Sequence, residues 1–334
     1  MRINSLISGR VLEVRVNHLL LARGAYLLKV VQEGTRCELW HKLPVSWWVG
    51  LAMRIPMVAR AFRLGVHHVA RTRDKIIIVA NRASYLIEEG GVTFLGRLHG
   101  SRPMALCAAE GKSFYGEYRS NPERSAVHVF ELDFENKVWV PAWRFQGVRH
   151  VHGVFYDPYM KAFWVTTGDS DDESAIWRTD DQFSSLTKVA GGSQQFRAVQ
   201  LLFTEGHIYF GSDAPEESNH IYRMDRDGSK LERLCSVGGS VFYGYKIGSH
   251  LFFSTAVEPS GVNIGREAEV WHSVDGANWK RLLSFSKDRL SMKYFQYGQV
   301  LFPQVSECDG NNLYCTPFAV KGHGTTIKID LTTN

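Results

Sequence analysis

Seven turn sequences recur along the chain at nearly constant spacing, and this repeat restricts the fold more than any other feature. Successive spacings are 56, 44, 48, 46, 48 and 47 residues, between turns at Glu33, Glu89, Asp133, Asp181, Asp227, Asp275 and Gly322. Each turn joins two strand-like runs, and its acidic or Gly-rich residues are typical of tight β-hairpins. Such a period, with two further strands before each hairpin, is that of four-stranded propeller blades.

The sequence therefore predicts an all-β, seven-bladed β-propeller over residues 1–334, with six blades as the alternative. The chain is 44% hydrophobic and 22% charged, which is sufficient for a full core. Its longest apolar runs are too short to span a membrane, and its N-terminal residues lack a signal-peptide pattern. The five cysteines follow no metal-ligand spacing, so we expect reduced thiols in a cytosolic protein at Cys37, Cys107, Cys235, Cys308 and Cys315.

Residues 47–65 lengthen the first spacing and predict an amphipathic helix inserted between blades 1 and 2. Its apolar stripe consists of Trp48, Leu51, Ile55, Val58 and Phe62, and its only charges are Arg54, Arg60 and Arg63. A basic helix with tryptophan is typical of contacts with a membrane surface or a protein. We expect such a contact through residues 47–63, with the protein peripheral on the cytosolic face of the membrane. Packing of the helix against the side of the propeller is the alternative.

The predicted blades bring two sets of polar residues to one mouth of the propeller. Strands alternate in direction, so the start of the first strand and the end of the second lie on the same face of each blade. The first-strand starts carry basic, amide or aromatic residues: His67, His68, Arg102, Arg149, His150, His152, Gln195, Arg197, Tyr243, Tyr294 and Gln296. The second-strand ends carry the acids Glu117, Asp169, Asp213 and Glu258.

Long polar loops after these acids in blades 3 to 6 predict a binding cleft on that side of the mouth, since long loops on a rigid scaffold concentrate binding groups. A structural interpretation is also open for each residue. The histidines then hydrogen-bond within the channel, the acids accept bonds at blade corners, and the tyrosines pack. The acidic cluster between residues 169 and 181 is divided by the repeat into a loop acid and a hairpin, which argues against a single metal site.

The sixth turn resembles the Asp-box (BNR) repeat of sialidase-like propellers, through Ser273, Asp275 and Trp279. The triplet Arg54, Ile55, Pro56 looks like the arginine motif of true sialidases, but it lies in the insertion and is interpreted as coincidence. The resemblance implies that a carboxylate of the ligand is bound by Arg102, Arg149 and Arg197. It also implies a nucleophile pair of Tyr294 and Glu258.

The segments from residues 149–159, 167–183 and 192–199 are similar to propellers encoded among bacterial cell-surface polysaccharide genes. We therefore expect recognition or processing of an anionic oligosaccharide or polysaccharide in the central cleft. A net charge of +5 suits an anionic partner, and no basic run or aromatic signature predicts nucleic-acid binding.

The sequence leaves catalysis open. An enzyme would be like a glycoside hydrolase, using a carboxylate pair, or like a uronate lyase, with Glu117, Asp169 and His152 as catalytic candidates. The other predicted mouth residues would bind substrate, and neither a metal nor a cofactor is expected. The alternative is a non-catalytic scaffold that binds a protein or a glycan on the same face.

Overall fold

The computed structural model describes residues 2–31, 37–307 and 310–332, with the backbone alone at 2–4 and 305–307. The predicted turn at Glu33 and the thiol of Cys308 lie outside the described residues. Seven separate sheets are present in the described part of the chain. The fold is therefore the seven-bladed propeller that the sequence predicted.

The N-terminal part of the chain forms a strand of the last blade, the whole first blade and the insertion. Strand β1 spans Arg2–Ser8. The first blade contains β2 (Arg10–Arg15), β3 (His18–Arg23), β4 (Tyr26–Val31) and β5 (Cys37–Lys42). Two short helices follow, α1 (Trp47–Ala52) and α2 (Pro56–Ala61).

Blades 2 to 6 are regular four-stranded antiparallel sheets in chain order. Blade 2 contains β6 (Val66–Thr72), β7 (Lys75–Ala80), β8 (Ala83–Glu88) and β9 (Gly91–Arg97). Blade 3 contains β10 (Leu106–Ala109), β11 (Lys112–Gly116), β12 (Val127–Asp133) and β13 (Val138–Phe145). Blade 4 contains β14 (His150–Asp157), β15 (Ala162–Gly168), β16 (Ala175–Thr179) and β17 (Thr187–Gly191).

A 3-10 turn (Gln194–Phe196) leads into blade 5, and a short helix leads into blade 7. Blade 5 contains β18 (Ala198–Phe203), β19 (Ile208–Ser212), β20 (Asn219–Met224) and β21 (Leu231–Val237). Blade 6 contains β22 (Val241–Ile247), β23 (His250–Thr255), β24 (Glu267–Ser273) and β25 (Lys280–Ser286). Helix α3 (Met292–Phe295) precedes β26 (Gln299–Leu301), β27 (Gln304–Glu307), β28 (Asn312–Phe318) and β29 (Thr325–Asp330).

The ring closes through its two chain ends. Blade 7 has the strand order β26, β28, β29, β1, so the N-terminal strand is its outermost strand. Strand β27 leaves blade 7 and pairs in parallel with β2, as a fifth strand of blade 1. The turn at Gly322 therefore joins the second and third strands of its blade, and not the third and fourth as in the predicted repeat.

The core lies between neighbouring blades, because alternate residues of each strand point to opposite faces of a sheet. In β7, Ile76 and Ile78 pack towards blade 1, whereas Ile77 and Val79 pack towards blade 3. All four side chains are buried. These strands are apolar on both faces because each blade is covered on both sides.

The insertion lies across the mouth of the propeller as two helices, and not as the single helix predicted for residues 47–65. Pro56 starts α2, since its ring fixes φ and it lacks the N–H that would continue α1. Arg60 of α2 is buried and forms an ion pair with Asp288. Its Nε and Nη2 also donate to the carbonyl oxygen of Phe295, at 3.0 and 2.7 Å. These contacts tie the insertion to the segment that precedes blade 7.

The described part of the chain contains no helix with the length and apolar character needed to cross a membrane.

Candidate functional site

A cavity of about 920 Å³ lies at the mouth of the propeller, beneath the insertion. Its wall includes first-strand starts, second-strand ends and the part of the insertion from Met53 through α2 to Leu64. The predicted mouth residues that line it are His67, His68, Arg102, Arg197, Asp213, Tyr243, Glu258 and Gln296. The rule that starts of first strands and ends of second strands share one mouth is thus confirmed for these residues.

The cavity lies only partly on the side that the loop lengths predicted, where Arg197, Asp213 and Glu258 line it. Blades 1, 2 and 7 contribute much of its wall, and no residue of blade 4 lines it. The reason is the insertion, which covers the mouth from blade 1 towards blade 7 and encloses the space beneath it. Long loops in blades 3 to 6 therefore indicated only part of the cavity wall.

A bulge near the start of several inner strands directs side chains into the mouth. The pairing register shifts between Val66 and His68 in β6, between Val151 and Gly153 in β14, and between Val241 and Tyr243 in β22. A bulge inserts an extra residue and bends the strand, so consecutive side chains can approach one site. His67 and His68, which would alternate between faces in a regular strand, consequently both line the cavity.

The cavity wall is strongly basic. Asp213 and Glu258 are the only carboxylates among the described lining residues, against seven arginines: Arg10, Arg23, Arg54, Arg60, Arg63, Arg102 and Arg197. Arg60 is paired with Asp288, and Arg197 lies 3.4 Å from Asp213. Arg54 of the sialidase-like triplet lies over the ring of Tyr26, 5.1 Å from its centroid.

Arg10 and Arg102 have no carboxylate within ion-pair distance among the described residues. Arg10 donates to the carbonyl oxygens of Val66 and His67, at 2.7 and 2.9 Å, and its Nε is buried without a partner. Arg102 makes one long hydrogen bond, 3.4 Å, to Gln296 Oε1. Burial lowers the pKa of each guanidinium to about 10, and the charge of Arg63 lowers the pKa of Arg102 further. Both remain positively charged at neutral pH.

The neighbouring histidines are neutral at physiological pH. Burial lowers the pKa of His68 to about 4, and the charge of Arg10 acts in the same direction. His68 Nε2 donates to the carbonyl oxygen of Pro103 at 2.8 Å. Burial and Arg102 hold the pKa of His67 well below its usual range, and its Nε2 is buried without a partner. We call the part of the cavity wall that carries Arg10 and Arg102 the arginine side. The two histidine rings add polar groups to it but no negative charge.

The same cavity also carries two carboxylates, Asp213 and Glu258, and Tyr297. Burial raises the pKa of Asp213 to about 6, against the lowering effect of Arg197. Burial also raises the pKa of Glu258, whose carboxylate is hydrogen-bonded to Tyr297. The tyrosine beside Glu258 is therefore Tyr297 and not Tyr294. Tyr294 belongs to α3, is 61% exposed and does not line the cavity.

Next to Arg197, blade 4 holds a polar cluster that we call the blade-4 cluster: Arg149, His150, His152 and Asp169. The two histidines are buried, and Arg149 and Asp169 are half-buried. Asp169 Oδ2 accepts from Arg149 Nη1 at 2.9 Å, and Oδ1 lies 2.9 Å from His150 Nε2 and 3.2 Å from Arg197 Nη2. Burial favours a raised pKa for Asp169, but the hydrogen bonds from both histidines lower it well below its usual range. His150, His152 and Asp169 form a group whose ligand atoms could hold a metal ion.

Two predicted residues have other surroundings. Glu117 is buried, but its carboxylate binds Arg119 Nε at 2.8 Å and the backbone N–H of His128 at 3.1 Å. It thus has the contacts of a blade-corner residue, and it does not line the cavity. Gln195 lies in the 3-10 turn before β18, also outside the cavity lining.

The acidic cluster that follows Asp169 is structural. Glu173 accepts from the backbone N–H groups of Arg149 and Asp169, at 2.9 and 3.1 Å, and from Arg124 Nε at 2.7 Å. Asp181 accepts from the N–H and hydroxyl of Ser185 in the hairpin between β16 and β17. These bonds match the prediction that the cluster divides into a loop and a hairpin.

The sequence analysis missed Arg10 and Tyr297, together with the aromatic lining residues Tyr26, Tyr118 and Phe242. Arg10 starts β2 directly after Gly9, as Val66 starts β6 directly after Gly65 in blade 2, one residue before His67. This equivalence could have identified Arg10. Tyr297 lies only three residues from Tyr294, and no sequence signal showed that a short helix delays the start of β26.

The fold and the site together define a seven-bladed propeller with a basic, partly aromatic cavity at one mouth. No family model and no curated protein matches the chain. Among solved structures, the chain is similar to Kuenenia stuttgartiensis hydrazine synthase, with 9% identity, a TM-score of 0.57 and coverage of 100% of this chain and 99% of that one.

It is also similar to a puromycin hydrolase, with 9% identity, a TM-score of 0.54 and coverage of 91% of this chain and 52% of that one. The tricorn protease has 13% identity and a TM-score of 0.48; the match covers 81% of this chain but only 25% of the protease chain. At these identities the likeness to the first two structures shows the fold alone.

Proposed function

We propose that the protein binds an anionic carbohydrate in the cavity beneath the insertion. The observation that carries the proposal is the pair Arg10 and Arg102, which line the cavity without a carboxylate partner among the described residues. Taking a guanidinium out of water is unfavourable unless a negative charge compensates it. A ligand carboxylate would supply that charge and would suit the planar fork of arginine.

Aromatic side chains support a sugar as the rest of the ligand. Tyr26, Tyr118, Phe242, Tyr243 and Tyr297 line the same cavity. Rings offer an apolar face, and tyrosines add a hydroxyl that can bond to sugar hydroxyls. This combination also agrees with the resemblance to propellers encoded among polysaccharide genes, which remains part of the proposal.

Cleavage of the ligand would require different residues from those first considered. Asp213 and Glu258 are the carboxyl groups that line the cavity, whereas Glu117 and Asp169 are bound by arginines outside its lining. Hydrolysis needs one carboxyl group that donates a proton and a second that acts as base or nucleophile. If turnover occurs, we therefore assign it to Asp213 and Glu258. The alternative is a scaffold that retains the ligand unchanged.

Calorimetric titration with a uronate- or sialate-containing oligosaccharide, and with its carboxyl-reduced form, tests the proposal. We expect the acidic form to bind and the Arg102→Ala variant to bind about 10- to 150-fold more weakly, as for a lost charged hydrogen bond of about 1.5–3 kcal/mol. Arg281→Ala is the control, because Arg281 pairs with Glu269 on an exposed strand outside the cavity. Equal affinity for both sugar forms would refute the proposal.

Product analysis in the same samples separates the two functions. An enzyme would release shorter products, and Glu258→Gln would abolish their release while leaving binding within a few-fold. A scaffold would release none with any variant.

We also propose that the insertion docks on an anionic membrane surface at the cytosolic face. Trp47, Trp48 and Phe62 are 81%, 59% and 73% exposed, and Leu51, Ile55 and Met57 are exposed beside them. Residues 43–65 contain three arginines and no acid. Arg60 is buried in its ion pair with Asp288, so the exposed residues Arg54 and Arg63 supply the positive charge at the surface of the insertion. Exposed apolar side chains together with positive charge alone suit a lipid surface better than a protein of unspecified charge.

A further inference from the structure

We propose that His150, His152 and Asp169 bind one divalent transition-metal ion, for which Zn²⁺ is the natural probe. The three ligand atoms converge on one point of blade 4. His150 Nε2 lies 2.9 Å from Asp169 Oδ1 and 3.1 Å from His152 Nε2, and His152 Nε2 lies 3.6 Å from Asp169 Oδ1. This site is separate from the arginine side of the cavity, and its existence does not depend on the proposed function.

These separations are those of atoms bound to a common ion. A triangle with these sides has a circumradius of about 1.9 Å, slightly shorter than the usual zinc–ligand bond of about 2.0–2.1 Å. An ion bonded to all three atoms would therefore lie roughly 0.8 Å outside their plane, with ligand–metal–ligand angles of about 90 to 120°. The three side chains occupy one face of the ion and leave further coordination positions open.

The outer nitrogens of both rings face backbone carbonyl groups. His152 Nδ1 lies 3.0 Å from the oxygen of Ala198, and His150 Nδ1 lies 3.4 Å from that of Arg119. A carbonyl oxygen only accepts, so each Nδ1 carries a proton. A ring that holds no second proton on Nε2 therefore directs the Nε2 lone pair inward, and a ring that donates to Asp169 from Nε2 is an imidazolium. A second hydrogen bond of this kind is the usual support of a metal-binding histidine.

Two inward lone pairs 3.1 Å apart, beside a carboxylate oxygen, repel each other unless a cation lies between them. Only two occupants are chemically simple: a proton, which makes one ring an imidazolium, or a metal ion. The two histidine side chains are buried, and His152 packs directly on the backbone of Gly168, where even a Cβ would lie 2.7 Å from its Cε1. This packing fixes the position of the His152 ring beside Asp169, as a metal site requires.

Asp169 is oriented as a ligand by the arginines around it. Its Oδ2 is held by Arg149, so Oδ1 is directed at the two imidazoles. Arg197 touches Oδ1 at 3.2 Å, and its charge is offset by Asp213 at 3.4 Å. Hydrogen bonding of a ligating carboxylate by surrounding groups is typical of metal sites.

The open positions would lie close to the cavity. The ring centroid of Tyr118 is 4.1 Å from that of His150, and Tyr118, Arg197 and Asp213 all line the cavity wall. A bound ion there would act as a Lewis acid or would hold a water molecule of lowered pKa.

The experiment starts from the full chain, stripped with a chelator and returned to metal-free buffer. Zn²⁺ is titrated against a chromophoric competitor, and Co²⁺ is titrated while its visible absorption is recorded. We expect one equivalent of each ion, with Co²⁺ bands typical of mixed nitrogen and oxygen ligands.

Three single variants and one control locate the site. His150→Gln, His152→Ala and Asp169→Asn should each weaken Zn²⁺ binding by at least about 100-fold, since even outer-shell changes cost 10- to 100-fold. The control is His272→Gln. His272 Nε2 lies 2.9 Å from His250 Nδ1, so this variant breaks a second histidine pair. Among the described residues, that pair belongs to no group of three possible metal ligands. Far-UV circular dichroism identifies any variant that does not fold. If one variant is unfolded, Zn²⁺ binding by the other two variants tests the site.

Lack of stoichiometric uptake by the wild type would overturn the proposal. So would retention of one tight equivalent in folded His150→Gln and Asp169→Asn variants, because the ion would then be bound elsewhere. Neither result would affect binding of an acidic sugar to Arg102, so the two proposals can fail independently.

Discussion

At the scale of single residues, the mouth of this propeller shows what an inner-strand position can and cannot predict. Arg102, Arg197 and Tyr243 were predicted at the mouth because polar residues at first-strand starts have no packing role there, and all three line the cavity. Tyr294 was placed there by the same rule, wrongly, because the rule depends on knowing where the strand begins. Contacts such as Arg149 with Asp169 could not be predicted, since they depend on loop paths between blades.

The pH dependence of stability follows from the buried histidines of the arginine side. His68 has a pKa of about 4 in the folded protein, against about 6.5 when unfolded. Between these values the unfolded state binds more protons, so stability is complete above pH 6.5 and falls as the pH drops towards 4. The loss attributable to His68 is at most about 3 kcal/mol.

Chemical denaturation at pH 7, 5.5 and 4 measures this effect. The His68→Gln variant should lose less stability over the same interval than the wild type, although His67 and His272 still titrate in the same direction. An unchanged pH dependence in the variant would show that His68 is not held neutral by burial.

A glycine next to the blade-4 cluster gives a second prediction at this scale. A Cβ at position 168 would lie 2.7 Å from His152 Cε1, which is closer than real Cβ atoms approach their neighbours. Gly168→Ala should therefore displace His152 and lower the free energy of unfolding by about 1–3 kcal/mol, as for other overpacked sites.

The matched control is Gly206→Ala, because a Cβ at Gly206 would meet no atom within 4 Å. Urea denaturation of both variants measures the difference. Equal stabilities of the two variants would mean that His152 has room to move.

At the scale of elements, the hairpins explain why the repeat was visible in the sequence. Asp275 Oδ1 accepts from the backbone N–H groups of Ala277 and Asn278, at 2.9 and 2.8 Å, and Asp133 makes the equivalent bonds in blade 3. These local bonds require particular residues, so they leave a pattern. The last blade breaks the pattern because its fourth strand comes from the other end of the chain, and pairing over such a distance leaves no local signature.

The insertion is the element with the clearest functional consequence. Transfer of an exposed large apolar side chain into lipid contributes about 1.5–3 kcal/mol. The Trp48→Ser, Phe62→Ser double variant should therefore sediment with vesicles of mixed neutral and anionic phospholipid at least about 10-fold less than the wild type. Added salt should weaken wild-type binding, since only arginines carry charge in this segment.

Phe94→Ser is the control, because Phe94 is 54% exposed on β9, outside the insertion. Loss of vesicle binding in this variant as well would indicate that the wild-type protein adsorbs non-specifically through any exposed apolar side chain. Absence of wild-type binding to anionic vesicles would contradict membrane docking and would leave a protein as the partner of the insertion.

At the scale of the whole molecule, the ring is held closed by a small number of contacts between the two ends of the chain. Strand β1 pairs with β29, β27 pairs with β2, and the hydroxyl of Thr326 adds a buried link between blade 7 and the start of blade 1. Thr326 Oγ1 accepts from the N–H of Val11 at 3.1 Å and donates to the carbonyl oxygen of Gly9 at 2.8 Å. It also lies 2.7 Å from Thr316 Oγ1, and both threonines are buried.

Replacement of Thr326 by valine keeps the shape of the side chain and removes the hydroxyl, so the buried N–H of Val11 loses its hydrogen-bond partner. The carbonyl oxygen of Gly9 loses its donor as well. Each unsatisfied buried polar group costs about 1–3 kcal/mol, so for these two groups together we expect the free energy of unfolding to fall by about 2–4 kcal/mol. Thr166→Val is the matched control: Thr166 is equally buried, but its hydroxyl has no hydrogen-bond partner, so its removal should be neutral or stabilising. Urea denaturation measures the free energy of unfolding of both variants. If Thr166→Val lost as much stability as Thr326→Val, the loss would come from removing any buried hydroxyl, and the contacts that close the ring would not explain it.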